Sequence, residues 1–178
     1  RYSSAASDVY KRQVIGLPAV IIGAYSISFI NENLARQFLG LLILLVFFLS
    51  FTKSHNQDRS KPNPLIVYPL LFIIGFLNGS LSAGTGLLYT LMLTKLYGYT
   101  YKEAIGYTLL VVGLFYNLIG AIVLYLISSI DISILPILLL GSFAGGYVGA
   151  MVAIKKSNVL IKSAYQLVTL IVAYKLLF

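Results

Sequence analysis

The residues with the most chemical promise in this sequence carry no charge. Gly75-Phe-Leu-Asn-Gly-Ser-Leu-Ser-Ala-Gly-Thr-Gly86 sets four glycines, two serines, a threonine and an asparagine inside an otherwise apolar span. Glycine weakens a helix by about 1 kcal/mol relative to alanine. Irregular backbone is not tolerated against lipid, so a break there must be buried in protein or line a cavity. Broken helices also turn N–H groups and a helix N-terminus toward places where an anion can be held. Asn78, Ser80, Ser82, Gly84, Thr85 and Gly86 are therefore candidate substrate-binding residues, with Gly79–Gly86 expected as a non-helical break. Close helix packing through small residues is the alternative. Asn117 lies inside LLVVGLFYNLIGAIVLYL, where an amide needs a partner. It either bonds a neighbouring helix or faces a polar pathway. Gly141, Gly145 and Gly149, spaced four apart, read as a helix-packing seam.

Other chemistry has little to work with. The chain has no cysteine and one histidine, His55, in the polar stretch KSHNQDRSKPN. Beyond the first 13 residues its acids are Glu32, Asp58, Glu103 and Asp131, all at expected helix ends or loops. They supply neither a nucleophile with its base nor a metal-ligand set, so no enzyme and no cofactor is expected. The net charge of +8 comes from lysines and arginines spread over short polar segments. That pattern fits loops beside anionic lipid, not a nucleic-acid partner, which would need a basic cluster with interleaved aromatics.

The elements that must position these residues are membrane spans. Of 178 residues, 59% are hydrophobic and 10% charged, too few charges to cover a soluble globule of this size. Six hydrophobic units follow one another: Val14–Phe29, Leu34–Phe51, Leu65–Leu96 with its glycine-rich interruption, Glu103–Ile127, Ile132–Ile154 and Val159–Phe178. Asn31, Glu32 or Asn33 can cap the second, and Asp131 the fifth. Thr100-x-x-Glu103 is a capping box opening the fourth. The fold class is all-α, a polytopic helical membrane protein.

Residues 1–13 are set apart. SSAASDVYKRQ, residues 3–13, is similar to a translated sequencing adapter and matches nothing downstream, so this segment is excluded as non-native. The native chain then enters mid-protein near Val14. A shift of 126 residues aligns Gly23-Ala24 with Gly149-Ala150, Leu34 with Leu160, Arg36 with Lys162, Leu41 with Leu167, Leu44 with Leu170 and Val46 with Val172. This predicts a duplicated transporter plan: residues 14–52 end a first repeat, 53–64 form a polar linker, and 65–178 form the second repeat. The N-terminal half needed for a complete pathway would precede Val14.

Leu65–Leu96 as one helix would be about 48 Å long, against a hydrocarbon core of about 30 Å. A hairpin at the glycines instead puts Lys53, Arg59, Lys61, Lys95, Lys102, Lys155, Lys156 and Lys162 on one side and only Arg36 and Lys175 on the other. That bias favours the hairpin, with the eight cytoplasmic.

Together these runs resemble the sulfite exporter TauE/SafE family of membrane permeases. GFLNGSLSAGTGLL is similar to the family's GFLSGLLGIGGGLL, KEAIGYTLLVV to KEAVGTSLLVV, NLIGAIVLYL to NSLSGALVYL and SIDIS to NIDW. Gly141, Gly145, Gly149 and Ala150 match its GALLGALLGA helix, and Val14–Thr52 resembles the end of its first repeat. Ser82 and Thr85 stand where the family has glycine, Leu91 where proline is common, and Tyr107-Thr108 replaces Thr-Ser. The resemblance adds Thr108 to the candidate site. It implies a permease in a prokaryotic-type cell membrane moving sulfite, an organosulfonate or another small anion. A non-transporting membrane scaffold or assembly factor is the alternative.

Overall fold

The computed structural model describes residues 14–26, 29, 31–51, 62–82, 84–127 and 132–177. The adapter-like segment 1–13, His55 with most of the 53–64 linker, Ala83 and Asp131 lie outside the described residues. The chain is an all-α polytopic membrane protein, with five helices long and apolar enough to cross a bilayer.

Polar caps set the helix starts. α1 spans Gly16–Ser26 and α2 spans Glu32–Phe51. The Asn31 side chain caps α2, its Oδ1 accepting from the N–H groups of Asn33 (3.0 Å) and Leu34 (3.4 Å). α3, Pro64–Leu81, starts with proline in its first turn, and the Asn63 side chain accepts from the Leu65 N–H. α4 is Thr85–Leu96. α5 runs Tyr101–Ile127 and opens on the expected Thr100–Glu103 capping box. Its middle, Leu109–Tyr116, is π-helical. A 3₁₀ turn, Ile132–Ile134, leads into α6, Leu135–Lys155, and α7 is Asn158–Leu177.

The break is shorter than the sequence predicts. Gly79, Ser80 and Leu81 stay in α3, and Thr85 and Gly86 already belong to α4. Packing decides this. A Cβ on Gly75 would run into the Gly16 carbonyl, one on Gly79 into the Val20 carbonyl, and one on Gly23 into that of Phe76. These glycines let α1 and α3 touch backbone to backbone, and that contact holds Gly75 and Gly79 helical. Only where α1 no longer supports the chain, after Leu81, does it turn.

It turns back. Thr90 and Thr108 share a hydrogen bond of 2.9 Å across the short Leu96–Tyr101 connection, so α4 runs antiparallel to the start of α5. Gly16 sits against both Gly75 and Tyr116, while Val20 meets Gly79 and Gly120. α1, α3 and the end of α5 therefore run parallel, and α3 and α4 form a hairpin. One core follows from this arrangement, with Val67, Leu71, Ile74, Tyr89, Met92, Leu93, Val112 and Tyr116 buried together.

α2 and α7 form a second, antiparallel pair. Gln166 Nε2 donates to Ser50 Oγ at 3.0 Å near one end, and Gly40 lies against Leu176 and Leu177 near the other. Lys102 Nζ donates to the Ile154 carbonyl at 3.0 Å. The Phe51, Pro64, Leu96, Tyr101, Lys155 and Asn158 helix ends thus share one end of the bundle. Among the described cations, Lys95, Lys102, Lys155, Lys156 and Lys162 lie there, with Arg36 and Lys175 at the opposite end.

Among the described residues, the expected seam at Gly141, Gly145 and Gly149 packs against nothing. α6 buries no residue, and a Cβ on any of the three would meet no atom within 4 Å. Spacing confers the capacity for close approach and does not supply the partner.

Because the chain lacks cysteine, single cysteines at Asn63 and Ser157 should label from one side of the membrane with an impermeant maleimide. One at Ser133 should label only from the other. Opposite accessibility of Asn63 and Ser157 would contradict the hairpin.

Candidate functional site

The end of α3 is closed by its own backbone. The Ser82 N–H donates to the Asn78 carbonyl (3.0 Å) and the Leu77 carbonyl (3.3 Å). Ser82 has φ +57° and Gly84 has φ +79°, so two left-handed residues reverse the chain. Serine at such a φ is uncommon, and glycine is the usual choice. Gly84 then heads α4 with no side-chain cap, which leaves first-turn N–H groups of a helix inside the bundle.

Three side chains tie the turn together. Thr85 Oγ1 donates to Asn78 Oδ1 at 2.6 Å, and Asn78 Nδ2 donates to Asn117 Oδ1 at 3.1 Å. Thr85 is fully buried and Asn78 nearly so, but Asn117 is exposed. Asn117 Nδ2 makes no bond among the described residues. The chain of donors therefore points one way, from the break to an open amide N–H on the bundle surface. That amide lies ten residues short of Ile127, about 15 Å inside the span end.

The π-helical stretch makes this possible. In a straight α-helix, residues nine apart such as Thr108 and Asn117 are 2.5 turns apart, on opposite faces. A π-turn advances roughly 82° per residue instead of 100°. Eight such residues, Leu109–Tyr116, bring the two onto nearly one face, so Thr108 meets Thr90 while Asn117 meets Asn78. Thr108 Oγ1 donates to the Ala104 carbonyl at 2.8 Å, so Thr90 is the donor in the threonine pair. Gly86 packs beside Thr108, where a Cβ would come to 3.3 Å from Thr108 Cγ2.

Of the eight sequence candidates, Asn78, Thr85 and Asn117 are bonded in one chain, and Gly84, Gly86 and Thr108 flank it. Ser80 does not join. Its hydroxyl donates back to the Phe76 carbonyl (2.9 Å) of its own helix, the usual resort of a buried serine in a helix. Ser82 contributes its backbone turn and carbonyl, while the residue is exposed. Sequence reasoning missed Thr90 and the π-helix. The threonine at 90 sits in a run with Thr94 that looks merely apolar-compatible, and no residue type marks a π-turn.

A family model described as sulfite exporter TauE/SafE matches residues 11–176. The "Probable membrane transporter protein YfcA" of Escherichia coli strain K12 is 24% identical over 161 residues, covering 88% of this chain and 59% of the relative. The proteins of the same name from Escherichia coli O157:H7 and from the O6:H1 strain match to the same extent. The chain thus spans 59% of the length of the curated relatives it matches. No solved structure matches.

Asn78→Leu removes the centre of the bonded chain and leaves the buried Thr85 hydroxyl only its longer, 3.3 Å contact with the Ser82 carbonyl. It should cost about 1–3 kcal/mol, read as a lowered unfolding midpoint in detergent. Asn117→Leu, at an exposed position, should cost less than half as much. An equal loss in both variants would contradict the buried–open asymmetry.

Proposed function

The chain belongs to the sulfite exporter TauE/SafE family, and from that premise we propose that it forms one half of a permease for a small anion, acting in the cell membrane. The carrying observation is the direction of the Thr85–Asn78–Asn117 chain, which ends on unclaimed amide N–H groups facing outward within a membrane span. An exposed polar group at that depth needs a polar partner. Donor groups suit an oxyanion, whereas a cation would want carbonyl oxygens. The uncapped start of α4 adds N–H groups and the positive end of a helix dipole on the same break.

Asn117 and Gly86 are read as substrate-contacting, with Gly84 and Ser82 shaping the turn, Thr85 and Asn78 orienting Asn117, and Thr108 holding α4 against α5. Ser80 is read as structural. The lysine-rich end of the bundle is read as cytoplasmic. Sulfite and organosulfonates fit the donor geometry through their three oxygens.

The test is uptake of labelled sulfite, a short alkylsulfonate and acetate into proteoliposomes holding the protein at the relatives' full length. Saturable flux of at least one anion is expected. Asn117→Leu should lower that flux about tenfold, in line with loss of one hydrogen bond to a charged group, with the unfolding midpoint lowered less than in Asn78→Leu. Absence of flux for every anion, or flux indifferent to Asn117→Leu and Thr85→Val, would overturn the reading.

A further inference from the structure

α6 is an apolar helix of 21 residues that buries none of them. Its contacts with the bundle gather at its C-terminal end, where Ala153 packs beside Tyr101 and Tyr165 and the Ile154 carbonyl receives Lys102. The rest of its length is bare, although it is divided into two faces. Ser142, Gly145, Gly146, Gly149 and Ala150 make one side, while Tyr147, Val148 and Met151 are bulky and exposed.

α1 is divided in the same way, and its small side is occupied. Gly16, Ala19, Val20, Gly23 and Ala24 are buried, with Gly75, Phe76 and Gly79 of α3 lying against this face, whereas Ile21, Ile22 and Tyr25 face out. Adding 126 turns the buried set into Ser142, Gly145, Gly146, Gly149 and Ala150, and the outward set into Tyr147, Val148 and Met151. The same shift turns the bounds of α2, Glu32–Phe51, into those of α7, Asn158–Leu177. It also relates the contacts between them. Replacing each residue of the Gly40–Leu176 contact by its mate gives Gln166–Ser50, the bond seen at 3.0 Å. An antiparallel pair with that property obeys a two-fold axis running between α2 and α7. The shift pairs α1 with α6 in sequence, and the same axis would carry α3 to a place beside α6 that nothing among the described residues fills.

We propose that the Ser142–Gly145–Gly146–Gly149–Ala150 face of α6 is the docking seam for a transmembrane helix of the α3 kind, an apolar span with glycines four apart, held backbone to backbone as α3 is held by α1. Such a helix would come from the family's length outside the 59% of the relatives that this chain matches. A second copy of the chain could not supply it from α3, whose glycine face is already taken by α1. It could offer only its own α6. The seam does not depend on what, if anything, the protein transports.

The test uses the cysteine-free 178-residue chain in lipid nanodiscs with a synthetic peptide of residues 62–84 carrying Phe72→Cys, one turn before Gly75, since a Cβ on Gly75 itself would strike the facing carbonyl. In the α1–α3 seam Gly75 meets Gly16, and the mate of Gly16 is Ser142. Copper-phenanthroline oxidation should link the peptide to a Ser142→Cys chain several-fold more than to a Val148→Cys chain. Adding Gly145→Leu and Gly149→Leu to the chain should abolish the link. Since neither glycine packs against the chain's own atoms, the unfolding midpoint of that variant should be unchanged. Peptide displacing α3 from α1 would not be read, because the cysteine is on α6. Linking only between two Ser142→Cys chains would overturn the proposal in favour of a second copy. Equal linking at Ser142 and Val148, or none, would overturn it in favour of lipid.

Discussion

Inside this bundle the backbone leaves the helix at a depth where lipid can take none of its hydrogen bonds. Each orphaned peptide group there costs several kcal/mol, and the local structure is the answer to that cost. The Ser82 N–H closes the end of α3 on two carbonyls. Left-handed residues at 82 and 84 reverse the chain within the few residues left over. Asn78, one turn inside α3, reaches across to the first residue of α4, so the side chain that needs a partner and the turn that needs a clamp satisfy each other. The return of α4 then fixes which helix ends share a side, and with them the separation of lysines.

Helices in lipid gain little from burying apolar side chains, since the tails are as apolar as leucine. What holds them is close approach, and here close approach means glycine. Gly16, Gly23, Gly75 and Gly79 occupy positions where a Cβ would strike a neighbour, while Phe72, Ile73, Ile21 and Ile22 face outward. Gly75 and Gly79 therefore belong to packing against α1, Gly84 to the turn, and Gly86 to the packing of α4 beside Thr108. The packing reading holds for Gly75 and Gly79, and the helix does break, between Leu81 and Thr85. The division lies where the α1 support ends.

How much of this could be read from the sequence depends on the range of the forces involved. The helix starts at Asn31 and Thr100 were legible because caps are local and act within three residues of themselves; the cap at Asn63 emerges only in the structure. The pairing of Asn78 with Asn117 was foreshadowed by the cost of a lone amide in an apolar span, though nothing in the sequence ranked Asn78 as the hub and Ser80 as a bystander. The extent of the break was misjudged because glycine propensity is a weak prior that tertiary contact overrides. The π-helix had no local mark at all. Its effect is one of phase, turning Thr108 and Asn117 onto one face, and only the positions of Thr90 and Asn78 show that the phase matters.

The polarity at the break is built from neutral groups, and this bears on how a transporter half could use it. A lysine at such a depth would cost about 2.5–3.5 kcal/mol to insert, and it would hold an anion strongly enough to slow release. A hydroxyl, two amides and the start of a helix spread smaller partial charges over several atoms. Because the bonds run in one direction, each polarises the next, and the field gathers on the last member. That member is Asn117, the one amide of the three-residue chain left open to its surroundings. In the proposed function the buried part of the chain is the support and the exposed part the instrument. A substitution at Asn78 acts through the orientation of Asn117 and the stability of the turn together, whereas one at Asn117 acts on whatever meets its N–H groups.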